Sequence, residues 1–264
     1  MIHLHQIVRY LEELAPPCSA EDWDNVGLLA GDTESAVERI MTCLTITPET
    51  VAEAIDRHAN LVVSHHPLPF RAIKSVTTST IPGKLLWELI SHRIAIYSPH
   101  TAWDSANAGI NQLTALGIGL TNIRPLVPHQ PPLDPSDGAG RIGMLETPQP
   151  LVDFVQVVKR FYGISTLQFV GNPQHQLTKI GIGCGSGGSL LQPALKLGCD
   201  GFLTGEANFH SALEARAAGV ALVLVGHFAS ERFSLHSLAQ RLHLQFPNLT
   251  IWASIDESDP VQTI

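Results

Sequence analysis

The sequence predicts an α/β protein made of two similar α/β/α domains, produced by internal duplication, with a metal site between them. Three observations predict it. Apolar, β-branched runs alternate with stretches of helical periodicity, the pattern of strand-helix-strand units whose sheets are at least partly parallel. The block from Ile40 to His65 reads strand, turn, helix, strand, and the block from Ile180 to Gly205 has the same length and the same order. After each block the next strand, Ile94 to Tyr97 or Ala221 to Val225, leads into His-x-x-x-acid: His100 with Asp104, and His227 with Glu231.

The elements follow in order. Ile2, Leu4, Ile7, Val8, Leu11 and Leu14 stand at helical spacing, and Pro16-Pro17 stops this amphipathic helix. After a loop with Trp23-Asp24-Asn25-Val26-Gly27, Arg39 to Thr47 reads as a strand, and Pro48 opens a helix running to about His58. Leu61-Val62-Val63 is a short buried strand ending in Ser64-His65-His66-Pro67. Pro82 to Ser91 is a helix, and Ile94 to Tyr97 a strand. Between Pro125 and Pro150 the chain turns rich in Pro, Gly, Asp and Gln, including Pro128-His129-Gln130-Pro131-Pro132 and Pro135-Ser136-Asp137-Gly138, and reads as a linker or surface excursion. The boundary is therefore set near residue 127, giving domains 1–127 and 128–264, with the C-terminal part of the second packing back on the first. Beyond it, Val152 to Phe161 is a helix and Lys179 to Gly183 a strand entering a Gly-rich turn. Strands at Gly201 to Leu203 and Ala221 to Val225 flank a helix through Leu213 to Ala215.

Composition excludes several classes. A chain of 264 residues, 44% hydrophobic, can bury one large core or two smaller ones. It has no apolar run near the roughly 20 residues that cross a bilayer, and Met1 to Gln6 lacks the basic start and apolar stretch of a signal peptide. The expected location is the cytoplasm, with no membrane partner. A formal charge of -8 argues against an extended phosphate-tracking surface, so nucleic acid is not expected as the main partner. Cys18, Cys43, Cys184 and Cys199 form no C-x-x-C pair and read as buried or free thiols. The 13 histidines are the one oddity, and most of them stand alone as surface or satisfied core residues.

In α/β sheets ligands collect beyond the carboxyl ends of the strands, where His65-His66, His100 to Asp104 and His227 to Glu231 all fall. Adjacent side chains on a strand point to opposite faces, so His65 and His66 share a site only if the strand ends there; Pro67 and Pro69 argue that it does. A helix beginning near Ala229-Ser230 would put His227 at its entry and Glu231 in its first turn. Imidazoles and carboxylates together suit zinc, manganese, iron or nickel, and Asp104 could bridge two ions. The expected metal ligands are His65, His66, Asp104, His227 and Glu231, holding two divalent transition-metal ions per chain.

Trp23-Asp24-Asn25-Val26-Gly27-Leu28, Ser64 to Pro67, Ser98-Pro99-His100-Thr101 with Asp104, Thr204-Gly205-Glu206 and Gly226 to Arg232 together resemble the NGG-interacting-factor-three-like proteins, also catalogued as GTP cyclohydrolase 1 type 2 homologues. The resemblance runs from about residue 5 to 258. It implies a dinuclear metal centre, two similar α/β domains, and a toroidal homohexamer with its metal sites facing an internal cavity. It implies the same five ligands, and it puts His100 close to the metals as the expected catalytic proton carrier or outer-shell partner. Where relatives commonly have Thr-Asn-x-Asp, this chain has Thr101-Ala102-Trp103-Asp104, which alters the pocket wall and keeps the ligand. The interval from Pro128 to Thr178 leaves little room for the extra domain that some members insert.

Other signals are weaker. Gly183-x-Gly185-x-x-Gly188 formally matches a dinucleotide fingerprint but has no acid about 20 residues on at the end of a second strand, and reads as strand-to-helix packing, with a looser anion or phosphate contact at the helix start as the alternative. Glu206 takes the place in the second half that His66 takes in the first, and His210 lies four residues beyond it. Trp23 to Gly27 has no evident acid-base pairing and reads as a packing or subunit-contact motif. The expected function is a metal-dependent hydrolase of a nucleotide-like or phosphorylated small molecule, of cyclohydrolase or phosphoesterase type. The alternative from another class is a non-catalytic, metal-binding hexameric regulator or scaffold.

Overall fold

The computed structural model describes residues 1–130 and 134–262, so Pro131 and Pro132 of the expected linker lie outside the described residues. In chain order the elements are β1 (Ile2–His3), α1 (Leu4–Leu14), β2 (Gly27–Ala30), β3 (Ala36–Val37), β4 (Arg39–Cys43), α2 (Pro48–Asp56), β5 (Leu61–Ser64), α3 (Ile81–Ser91), β6 (Ala95–Ser98) and α4 (His100–Ser105). They continue with α5 (Ile110–Gly117), β7 (Leu120–Pro128), β8 (Gly138–Pro150), α6 (Leu151–Tyr162), β9 (Gln168–Val170), β10 (Gln176–Gly183), α7 (Leu191–Lys196) and β11 (Gly201–Thr204). Last come α8 (Phe209–Ala217), β12 (Ala221–Leu224), α9 (His227–Gln245) and β13 (Thr250–Ala253). No helix among the described residues is long and apolar enough to cross a membrane.

The chain forms two compact units, Met1–Trp103 with Ser234–Ile264, and Asp104–Phe233. This differs from a division near residue 127. The C-terminal segment does join the first unit: β13 pairs in parallel with β4, and the Thr42 hydroxyl donates to the Leu235 carbonyl at 2.9 Å. Of the segment read as a linker or surface excursion, residues 125–128 end β7 and 138–150 form β8, an antiparallel pair in the second unit, while the described residues between them belong to no strand. The segment's prolines misled because Pro125 and Pro128 sit on β7, an edge strand, where a missing N–H costs no ladder hydrogen bond.

The first unit's sheet has the order β13-β4-β5-β6-β2, with β2 antiparallel to β6 and the rest parallel. Met41, Cys43, Val62 and Ile96 present one face to Val51 and Ala54 of α2 and to Leu85, Leu86 and Leu89 of α3. Helix α2 begins where the sequence says it should, with Thr47 accepting from the Thr50 N–H and Pro48 in the first turn.

The second unit's sheet has the order β7-β8-β10-β11-β12-β9, parallel through β10, β11 and β12. Neighbouring residues point to opposite faces. Leu203 and Val223 pack with Phe154 and Val158 of α6, while Phe202 and Leu222 pack with Leu191 and Ala194 of α7 and Ala215 of α8. Apolar side chains on both faces of one sheet make this an α/β/α sandwich. The duplication is visible in the strand register: Ile40 stands opposite Leu61, and Ile180 opposite Gly201, the same sequence separation in each unit.

Candidate metal centre

In the first unit β5 stops at Ser64, and the chain leaves the sheet through His65 and His66. Their backbones remain tied to the end of β4: the His65 N–H donates to the Cys43 carbonyl at 2.9 Å, and the His66 N–H to the Leu44 carbonyl at 2.8 Å. Ser98, at the end of β6, donates to the His65 carbonyl at 2.6 Å. Released from strand alternation, the two rings turn to one side, with centroids 5.1 Å apart, and the His100 ring lies 5.1 Å from His65 and 5.6 Å from His66. Nitrogens of the three imidazoles all lie within 4.8 Å of one another, a spacing that could hold a metal ion. His66 Nδ1 is 2.7 Å from the Thr45 hydroxyl, so a metal held by His66 would sit at Nε2.

His100 opens α4 with φ at 27°, a conformation that non-glycine residues seldom adopt. Its Nδ1 lies 2.7 Å from Asp24 Oδ1, and the other carboxylate oxygen accepts from the backbone N–H and the hydroxyl of Thr101. Burial works against the Asp24 anion, but the hydrogen bonds from His100 and Thr101 outweigh it and hold the carboxyl down at about 2. An ionised Asp24 can only accept, so Nδ1 carries the proton and Nε2 is the basic nitrogen. The sequence reading of this loop as packing without acid-base pairing is therefore corrected. Asp24 lies far from His100 in the chain, and nothing local announces the pair. Asn25 completes the loop's role by donating from Nδ2 to the Pro69 carbonyl at 2.8 Å.

In the second unit His227 is the first residue of α9, two residues earlier than expected, and Glu231 stands one turn on. His227 Nε2 is 3.0 Å from Glu231 Oε2, and Nδ1 is 3.2 Å from Glu206 Oε2. The Glu231 hydrogen bond pushes the imidazole up to about 9; burial opposes it, and the charges of Glu231 and Glu206 reinforce it. A cation is thus already favoured between these carboxylates, which is the electrostatics a divalent metal requires. Glu206 is a hydrogen-bonding partner of His227, whereas His210 stacks edge-on with Phe209 on an exposed surface.

Asp104 clusters with the second unit, where the sequence reading gave it to the first domain. Its carbonyl accepts from Asn111 Nδ2 at 3.1 Å, and its Oδ1 accepts from the Cys184 thiol at 3.1 Å. Burial, then the charges of Asp104 and Glu231, push the Cys184 thiol well above its ordinary range, so it stays protonated and donates. Cys184 was missed as a site residue because an isolated cysteine carries no signal until folding gives it a neighbour. Arg141 was hidden in the expected linker. Fully buried, it donates to the carbonyls of Ser105, Ala106, Gly138 and Gly140 and to Gln112, fixing the backbone just after Asp104.

The Gly-rich turn is closely packed. A Cβ at Gly185 would run into the Glu231 carboxylate, and one at Gly187 would come within 2.9 Å of the Thr204 hydroxyl. The donors, imidazole nitrogen and carboxylate oxygen, fit borderline divalent transition metals.

A family model described as Duf34/NIF3 (NGG1p interacting factor 3) matches residues 2–260. The chain is 33% identical over 228 residues to a GTP cyclohydrolase 1 type 2 homolog of Clostridium perfringens, covering 86% of each chain. It is 32% identical over 269 residues to NIF3-like protein 1 of Drosophila melanogaster, covering 99% of this chain and 89% of the relative. Among solved structures it is similar to Staphylococcus aureus protein SA1388, with a TM-score of 0.89, 28% identity and coverage of 100% and 99%. The fold also matches reduced HcgD from Methanocaldococcus jannaschii, with a TM-score of 0.83, 24% identity and coverage of 96% and 97%.

Proposed function

The chain belongs to the Duf34/NIF3 family, and from that premise we propose that it is a metal-dependent hydrolase of a nucleotide-like or phosphorylated small molecule. Its ligands are His65, His66, Asp104, His227 and Glu231, and it takes two divalent ions per chain. When bound, such ions supply Lewis-acid charge and a water acidic enough to react at neutral pH.

The protein's own contribution is proton handling and orientation. His100, held by Asp24 through Nδ1, takes a proton at Nε2 and returns it to the leaving group. Thr45 fixes the ring of His66, and Cys184 fixes a carboxylate oxygen of Asp104. The observation that carries the reading is the Asp24-His100 couple set within ring contact of His65 and His66. With Nδ1 engaged by Asp24, the His100 ring is oriented to move a proton at Nε2 beside His65 and His66. The relatives' printed name, GTP cyclohydrolase 1 type 2 homolog, supports attack on a purine ring as one case; a phosphoesterase would use the same residues. Family resemblance also supports a cytoplasmic homohexamer, which light scattering on purified protein checks.

The test is a metabolite screen on metal-loaded protein. Metal-dependent turnover that disappears in Asp104→Ala while the oligomeric mass persists is the expected result. A fully loaded protein inert toward nucleotides, phosphoesters and cyclic amides would instead favour the regulator or scaffold.

A further inference from the structure

We propose that Trp23 and Phe70 form an aromatic ledge that receives the flat ring of a purine-sized nitrogen heterocycle and holds it beside His100; this rests on the hydrolase reading above. Trp23 is 62% exposed and Phe70 49% exposed, although both are large apolar rings that folding would ordinarily bury. Their centroids are 6.0 Å apart, and each meets His100 edge-on, at 6.0 Å from Trp23 and 5.9 Å from Phe70. Two unburied aromatic faces thus border the same imidazole that moves the proton.

The backbones carrying these rings are fixed. Asp24, next to Trp23, is bound to His100 and to Thr101, and Pro69, next to Phe70, accepts from Asn25 at 2.8 Å. The three residues Trp23, Asp24 and Asn25 therefore present a ring, orient the base and tie down the second ring's loop. A surface prepared in this way loses little conformational freedom when a ligand arrives. Aromatic faces recognise flat π-systems by stacking, with little regard to ring substituents, so the ledge selects for a ring and leaves its identity to polar groups elsewhere. A ribose phosphate or a cyclic amide without a π-face would gain nothing from it. Among the substrates open to a dinuclear hydrolase, the ledge favours those in which a heteroaromatic ring is the reacting or the anchoring group.

The experiment titrates the full, metal-loaded chain with guanosine 5′-monophosphate and with ribose 5-phosphate by calorimetry, alongside Trp23→Ala, Phe70→Ala and Trp23→Phe. The ring-bearing probe should bind at least about tenfold more tightly than the ringless one. Each alanine variant should lose about tenfold in affinity for the nucleotide, and Trp23→Phe should retain most of it. Elemental analysis and light scattering on every variant should show unchanged metal content and mass. Absence of nucleotide binding, equal affinity for both probes, or alanine variants that bind as the wild type does would overturn the ledge. So would an alanine variant whose oligomer falls apart, since the rings would then be a subunit contact. If an alanine variant does not fold, the wild-type comparison of the two probes with Trp23→Phe decides alone. A chain that takes up no metal yet binds the nucleotide sinks the metal reading and spares the ledge; a loaded chain indifferent to the ring does the reverse.

Discussion

The proton-carrier role proposed for His100 requires that Asp24 stay ionised and accept from Nδ1, because that bond decides which nitrogen is basic. Asp24→Asn keeps the shape and can offer Nδ1 an N–H in place of an acceptor, so the opposite tautomer becomes competitive. In 15N spectra the wild-type ring should carry its proton on Nδ1, and Asp24→Asn should lose that preference, with turnover falling by about 100-fold or more at unchanged metal content. An Asp24→Asn ring that keeps its Nδ1 proton would show that something else orients it. A second buried carboxylate acts on stability instead. Glu53 of α2 is 2% exposed and accepts from the Ser254 hydroxyl, Trp252 Nε1 and the backbone N–H groups of Ile255 and Asp256. Burial opposes its charge, but those hydrogen bonds prevail and hold it below its ordinary value of 4.5. A depressed carboxyl stabilises the fold above its unfolded pKa and loses that effect as pH falls through the folded one. Urea unfolding should therefore find Glu53→Gln less stable than wild type by about 1–3 kcal/mol at pH 7, with the gap closing as pH drops below about 4.5. A gap independent of pH would mean that the charge contributes nothing.

The turn after β4 connects Glu257 to the candidate metal ligand His66. The Glu257 carboxylate accepts from the backbone N–H groups of Leu44 at 3.0 Å and Thr45 at 2.7 Å, and the Thr45 hydroxyl meets His66 Nδ1. Outer-shell partners of a ligating histidine fix its ring, and their loss typically costs about 10–100-fold in metal affinity. Thr45→Val should show that loss in competition with a chromophoric chelator, while Thr45→Ser, which keeps the hydroxyl, should not. Equal affinities for the two variants would confine Thr45 to packing. Most elements were legible because local periodicity and tertiary role agree: α2 and α6 carry their own start signals and apolar stripes, and β5, β11 and β12 are short apolar runs buried on both faces. Strands β7 and β8 were not legible. Their prolines and glycines read as breakers, and only the tertiary context reveals an edge strand and Gly138 and Gly140 at positive φ beside the buried Arg141.

At the scale of the whole chain the duplication made the candidate site readable, since it placed chemically active residues at equivalent strand ends, but it concealed where the units part. The divisions fall inside α4, between Trp103 and Asp104, and inside α9, between Phe233 and Ser234. A continuous helix carries no proline, glycine or change of composition to mark such a boundary, so Asp104 was read with the first domain, while it clusters with the second unit. The duplication has also diverged: His66 bonds to Thr45, while its counterpart Glu206 bonds to His227. A whole-molecule consequence can be measured. Ions that bind only the folded chain stabilise it by mass action, by about 2.7 kcal/mol at a free concentration 100 times Kd. For a chain of this size that corresponds to a rise in Tm of roughly 5–10 °C. Gently purified protein should contain close to two transition-metal ions per chain. Stripping with a chelator should lower Tm by that amount, and zinc, manganese or iron should restore it. His66→Ala and His227→Ala, made in different units, should each lower the stoichiometry and shrink the restored increment. A Tm indifferent to the chelator, or substoichiometric metal that no added ion restores, would remove the dinuclear centre from this account.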